Sequence, residues 1–209
     1  GSGEKSTILT TTQATGDVFS VHTWGVHIRH LGFTAASGVT RTSGAYVNFT
    51  ANAVQSSLEH FEMYKAFVGV NMASGATLYV EKGSIRDIST ASGSAGIVVS
   101  DGNDHYIRNI TMDNQADRQP SYGILISKTG CVNIMDCDII HCTNDLHITG
   151  GASIYVVNCF FDTAVNGIWI ESPSDSSPIV RCHFIGCWTS THTGGGVTIV
   201  NSGVVDTIE

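Results

Sequence analysis

The nine residues Ile134 to Cys142 read IMDCDIIHC and place two aspartates, a histidine and two cysteines in one short run. Thiolate, imidazole and carboxylate are the groups zinc prefers, so the run taken alone is a candidate metal or redox site. The alternative is structural, because cysteine is among the most buried residue types and packs as a small hydrophobe. The rest of the chain decides between the two, because the run has counterparts along it.

Short segments of similar pattern are IRHLGF from Ile28, LEHFEM from Leu58, VEKGSI from Val80, IRNITM from Ile107, IMDCDI from Ile134, VVNCFF from Val156 and IVRCHF from Ile179. Their starts lie 30, 22, 27, 27, 22 and 23 residues apart, an irregular period that points to stacked repeats. Ahead of most of them runs a second apolar segment: VNF at Val47, GIVVS at Gly96, GILIS at Gly123, DLHIT at Asp145 and GIWIE at Gly167, with VFSV at Val18 and FVGV at Phe67 fitting more loosely. Each unit is strand, short turn, strand and variable loop, the length of one coil of a parallel β-solenoid. Seven coils are predicted, about 35 Å tall at the spacing of neighbouring strands.

The fourth position of the segments holds Leu31, Phe61, Gly83, Ile110, Cys137, Cys159 and Cys182. Three cysteines thus fall in a column otherwise filled mainly by hydrophobes, which favours an interior thiol ladder over a metal site. Cys142 and Cys187 share another register, where the Val156 coil has Ala164. Side chains stacked in parallel keep their Cβ atoms at the strand spacing, wider than disulfide geometry, so six cysteines do not imply three bridges. No metal or other cofactor is expected. Asp136 and Asp138 fall on the bend and the outer face, where solvation accounts for them.

Composition agrees with one all-β domain over residues 1–209. The chain is 42% hydrophobic and 13% charged, with 23 Gly and 3 Pro, and short Thr, Ser, Val and Ile runs alternate with turn formers. No run is apolar and long enough for membrane insertion. A formal charge of −8 argues against nucleic acid or an anionic membrane as partner, and a neutral or weakly charged ligand fits better. GSG at residues 1–3 is read as a cloning remnant and the abrupt start as that of a piece of a longer chain.

Alternation sends one column of the earlier strands outward: Ser20, Asn48, Gly69, Val98, Leu125, His147, Trp169 and Thr198. A second outward column includes Thr50, Ser100, Ser127, Thr149 and Glu171. Asp145 and His147 on one coil are therefore expected to face Trp169 and Glu171 on the next. A Trp beside acids and hydroxyls suits a sugar, whose C–H face stacks on the ring. The alternative is a Trp covered by a loop or another subunit. Candidate acids are Glu171 and Asp145, with Trp169, His147, Thr149 and Thr198 as binding residues, although the two acids are about 14 Å apart by register and glycosidase pairs need about 5 to 10 Å. Arg29, Glu59, Glu81 and Arg108 form a second aligned column, read as a salt-bridge stripe. The loops Asp113 to Tyr122 and Glu171 to Pro178 are further candidates for recognition.

The repeats GILIS…VNIMDCDI and GIWIE…PIVRCHF resemble the right-handed parallel β-helix of the pectate-lyase-like superfamily, over nearly the whole chain. The calcium-binding Asp cluster and the Asn-Thr-Asp, Asp-Asp and Gly-His-Gly motifs of its pectin-cleaving enzymes do not appear. YGILISK from Tyr122 only begins like the Tyr-Gly-x-Asp-Pro-His motif of alginate epimerases. The irregular repeat and Ser/Thr/Gly richness look more like a bacteriophage tailspike. That resemblance implies a homotrimer of the virion tail, or an extracellular protein, that binds and in some cases cleaves bacterial surface polysaccharide. A secreted polysaccharide lyase or hydrolase and a non-catalytic adhesive solenoid remain the alternatives.

Overall fold

The computed structural model describes residues 7–73, 75–115, 119–171, 179–200 and 207–208. Among these every strand pairing is parallel, and the strands make two sheets. The first sheet has eight strands: Phe19–Val21, Ala45–Phe49, Val68–Met72, Ala95–Val99, Tyr122–Ile126, Asn144–Ile148, Asn166–Glu171 and Gly195–Val200. The second has thirteen strands and is folded along its length into a leading and a trailing arm. Ser56–Tyr64, Leu78–Arg86 and His105–Asp113 run through both arms, while later coils divide the same path into Cys131–Met135 and Asp138–Ile140, Gly151–Val157 and Phe160–Asp162, and Ile179–Ile185 and Trp188–Ser190. Strand of sheet one, leading arm and trailing arm make one coil. Seven coils are complete, as the repeats predict, and Gly195–Val200 with Thr207–Ile208 opens an eighth.

The fold between the arms has a local cause. One residue per coil, the third of each repeat segment, takes the left-handed conformation: His30, His60, Lys82, Asn109, Asp136, Asn158 and Gly186, with φ between 52° and 60°. Such a residue turns the strand without ending the ladder. It costs about 1–2 kcal/mol where a Cβ is present, least for Asn and Asp. The core supplies the compensation. Val47, Ile97, Ile124, Leu146 and Ile168 point in from sheet one against Leu58, Val80, Ile107, Ile134 and Val156 of the leading arm, all essentially inaccessible. Each such side chain stabilises the fold by about 1.5–3 kcal/mol.

The predicted registers hold from Ile28 through Leu58, Val80, Ile107 and Ile134 to Val156. They fail at the last step. Val156 pairs with Phe184, not Ile179, and Ile179 pairs with Gly151. The segment FIGCWT is thus the true counterpart of VVNCFF, with Gly186 at the bend. Phe160 opposite Trp188 then stacks Cys187 on Cys159, so the thiol ladder is Cys137, Cys159 and Cys187, while Cys182 packs beside Ile154. All six cysteines are free, and Cys137, Cys142, Cys159 and Cys182 are buried. The Cys159 thiol is raised to about 12, chiefly by its contact with Cys137.

In sheet one the outward column is as predicted except at Gly69. Asn71 takes that place, paired with Asn48 and Val98. Gly69 belongs instead to a column that continues as Gly96, Gly123, Asp145, Gly167 and Gly196, at the corner where the trailing arm turns into sheet one. Space there is scarce: a Cβ on Gly96 would lie 2.4 Å from Met112 Sδ, and one on Gly123 2.5 Å from the carbonyl oxygen of Asp145. The Arg29, Glu59, Glu81, Arg108 stripe is present, with contacts of 3.1 Å for Arg29–Glu59 and 3.6 Å for Arg108–Glu81.

Candidate functional site

Registers set the predicted site. Leu125, His147, Trp169 and Thr198 lie side by side on four successive strands of sheet one, and Glu171 follows two residues after Trp169 on the same face. His147 Nε2 lies 2.9 Å from Glu171 Oε1. A carboxylate only accepts, so Nε2 carries the proton and donates it. Burial lowers the His147 pKa, against the pull of Glu171, which keeps the ring neutral. The ring is held on one side by Tyr122, with centroids 5.1 Å apart, and on the other by the edge of Trp169 at 6.4 Å. Trp169 is half-buried. Glu171 keeps 35% of its side chain exposed, enough to meet a ligand. The Thr149 hydroxyl donates to the carbonyl of Ile126 at 3.3 Å, leaving its lone pairs outward.

Asp145 does not join this face. It occupies the glycine column, is wholly buried, and one carboxyl oxygen accepts from the backbone N–H of Cys142 at 3.3 Å. Alternation fails here because the corner backbone turns its side chain inward. Burial pushes the Asp145 pKa up to about 9, so the group is a neutral acid at pH 7. The expected encounter of Asp145 with Glu171 across the outer face is therefore corrected. In the loop Glu171 to Pro178, residues 172–178 lie outside the described residues, as do 116–118 of the loop Asp113 to Tyr122.

A second group of polar and aromatic side chains, of which the sequence assigned only Asp138 to the solvated outer face, lies on the trailing arm. Asp138, Phe160 and Trp188 share one outward column, and Asp113, Ile140 and Asp162 the next. Trp188 is 72% exposed and meets Phe160 edge to face at 6.3 Å. Asp138 and Asp162 are diagonal neighbours, about 8 Å apart at the strand spacing and rise. The Asp138 pKa is raised, by burial first and then by Asp113 and Asp162. The missed signal was GCWTS from Gly186, which repeats NCFFD from Asn158 once the register is shifted.

The described residues contain no group of three or more His, Cys, Asp or Glu side chains arranged to hold a metal. No helix in them is long and apolar enough to cross a membrane. Comparison with curated proteins and with solved structures gave no match. Residues 37–208 match the family described as the right handed beta helix region, and with parallel coils, two sheets and one stacked core over that span the chain belongs to that family.

Proposed function

We propose that this chain is a polysaccharide-recognising β-helix of the phage tailspike type, which binds a bacterial surface glycan on the outer face of sheet one around Trp169. One observation carries the reading: a half-exposed indole stands in register with a neutral His147 that is bonded to the partly exposed Glu171. A pyranose ring stacks its C–H face on the indole while its hydroxyls bond Glu171, Thr149 and Thr198. His147 fixes the carboxylate so that little side-chain entropy is lost on binding. In this reading the protein works as a homotrimer in the virion tail or outside the cell. The half-buried apolar residues Val98 and Leu125, beside the site in the same column, suit an edge against a second subunit.

On this face we read binding rather than cleavage, because among the described residues no second accessible acid stands in the outward columns beside Glu171 once Asp145 is in the interior. A second reading, cleavage, is favoured by one feature of the trailing arm. The carboxyl of Asp138 is shifted toward the protonated form, and Asp162, which contributes to that shift, is its diagonal neighbour on the next coil, an acid beside a second carboxylate as glycoside hydrolysis requires.

A panel of capsular and lipopolysaccharide glycans identifies the bound sugar. On that sugar Trp169→Ala is expected to weaken binding by about 1–3 kcal/mol, and Asp138→Asn to leave affinity unchanged while ending any release of reducing ends. Unchanged affinity in Trp169→Ala would overturn the sheet-one site. Unchanged turnover in Asp138→Asn would overturn the cleavage reading.

A further inference from the structure

Where the trailing arm turns into sheet one, the connecting corners differ in length. The second coil crosses with only Lys65, Ala66 and Phe67, between Tyr64 and Val68. The corners on either side are longer, spanning residues 36–44 in the first coil and 87–94 in the third. A short corner between long ones leaves a gap. The gap is a cleft of about 690 Å³, within the range of small-ligand sites. Lys65 lies in its lining, with Thr40 from the corner before and Asp87, Ser89 and Thr90 from the corner after.

The lining is built for hydroxyls and one negative charge. Thr40, Ser89 and Thr90 offer hydroxyl groups, and Gln115 donates its amide to Asp87 at 3.1 Å, which supplies that carboxylate with a neutral partner. Lys65 is the contrasting element. Its backbone is held left-handed at φ 59° by the bond from its N–H to the carbonyl of Arg86, which fixes where the side chain departs. No carboxylate lies within ion-pair distance of its ammonium among the described residues. A second cation lies beneath. Arg41 is 1% exposed, and its guanidinium donates to the carbonyls of Gln13, Gly16 and Ser43 but to no carboxylate. Closing the cleft with a neutral ligand would strip water from an ammonium that no described carboxylate pairs, which is costly. A ligand that brings a carboxylate avoids that cost and gains a charge-assisted hydrogen bond.

From this we infer that the cleft over Lys65 is a subsite for a uronic-acid unit, with the sugar carboxylate on Lys65 and the ring hydroxyls on Ser89, Thr90 and Asp87. The inference rests on the reading of the chain as glycan-binding and gives that reading a chemical class of sugar. It also replaces the expectation of a neutral ligand drawn from the net charge: the chain is acidic as a whole, while the described lining of this cleft carries Lys65 and Arg41 against Asp87.

The probe is D-glucuronate, titrated into the labelled protein and followed through backbone amide shifts, with D-glucose as the neutral control. Glucuronate is expected to move the amides of Lys65, Ser89, Thr90 and Gln115 and to bind at least about tenfold more tightly than glucose, the scale of one hydrogen bond to a charged group. Lys65→Met should remove that difference and Lys65→Arg should keep it. Lys65 is exposed, so neither change threatens the core. Equal response to the two sugars, no response at these amides, or an undiminished difference in Lys65→Met would overturn the subsite. Shifts confined to residues 146–148 and 168–171 would do so while leaving the Trp169 face standing. Shifts confined to the cleft would have the reverse meaning.

Discussion

The second to fourth coils and the fifth to seventh are built on one plan and spend it differently. In the earlier coils the strands Ser56–Tyr64, Leu78–Arg86 and His105–Asp113 pass unbroken through the bend, and the fourth-position column holds Phe61 and Ile110. Phe61 is large enough to serve two coils, since its ring fills the space in which Gly83 has no side chain. In the later coils the strands divide, the same column shrinks to Cys137, Cys159 and Cys187, and polar groups move in. Among the described residues, buried polar side-chain atoms with no hydrogen-bond partner in the protein show the same division: Arg41 and Arg108 in the earlier part, against Asp138, His141, Asp145, His147, Asp162, Trp169, His183 and His192 in the later part. Where no water reaches it, each such group costs about 1–3 kcal/mol. The earlier coils are thus scaffold, with any recognition there placed in the loops. In the proposed reading the later coils place recognition on the strands themselves, and they are expected to be less stable, as a solenoid whose repeats contribute separately permits.

Truncations in the shared column are the strongest way to break this contrast. Phe61→Ala should destabilise by about 3–5 kcal/mol and Cys159→Ala by about 1 kcal/mol or less, because a phenyl ring leaves a cavity and a thiol nearly none. Equal losses in chemical denaturation would mean that the two halves are packed alike.

Next in size is the buried acid. Asp145 ionises near pH 3.8 when unfolded and at about pH 9 when folded. Its effect on stability is absent below about pH 4, and stability is then lost progressively as pH rises toward 9, because only the folded state holds the proton. Asp145→Asn keeps the shape without the charge. It is expected to flatten that decline and to raise stability at pH 8 by on the order of a few kcal/mol. A decline of the same slope in the variant would place its source elsewhere.

The smallest effect belongs to the scaffold's surface. Arg29 and Glu59 have side chains 55% and 19% exposed, so Glu59→Gln should cost under about 1 kcal/mol, less still at high salt. A larger loss would give the outer stripe a part in holding the coils together.

The stacking was legible in the sequence because alternation and the repeated bend act on every coil. Position three of each segment, His, His, Lys, Asn, Asp and Asn, is the left-handed residue, and six of seven segment starts fall in one register. The last failed because IVRCHF matches the apolar pattern as well as FIGCWT does, and only the bend, which needs Gly186, separates them. Gly69 was misplaced for a similar reason: Val68 and Val70 flank it as symmetrically as an outward residue would require. Asp145 was misread because alternation holds within a strand and not at a corner. His147, Trp169 and Glu171 sit mid-strand, so their shared face was visible. The cleft was not, because it follows from the difference in length between corners rather than from any residue in them.

The face around Trp169 is tested most directly by hydrogen exchange with and without the glycan that the panel identifies. Slowed exchange is expected at residues 146–148 and 168–171, with 45–49 and 68–72 unchanged. Protection that leaves 146–148 and 168–171 untouched, or that rises evenly along all coils, would contradict a glycan site on the later part of sheet one.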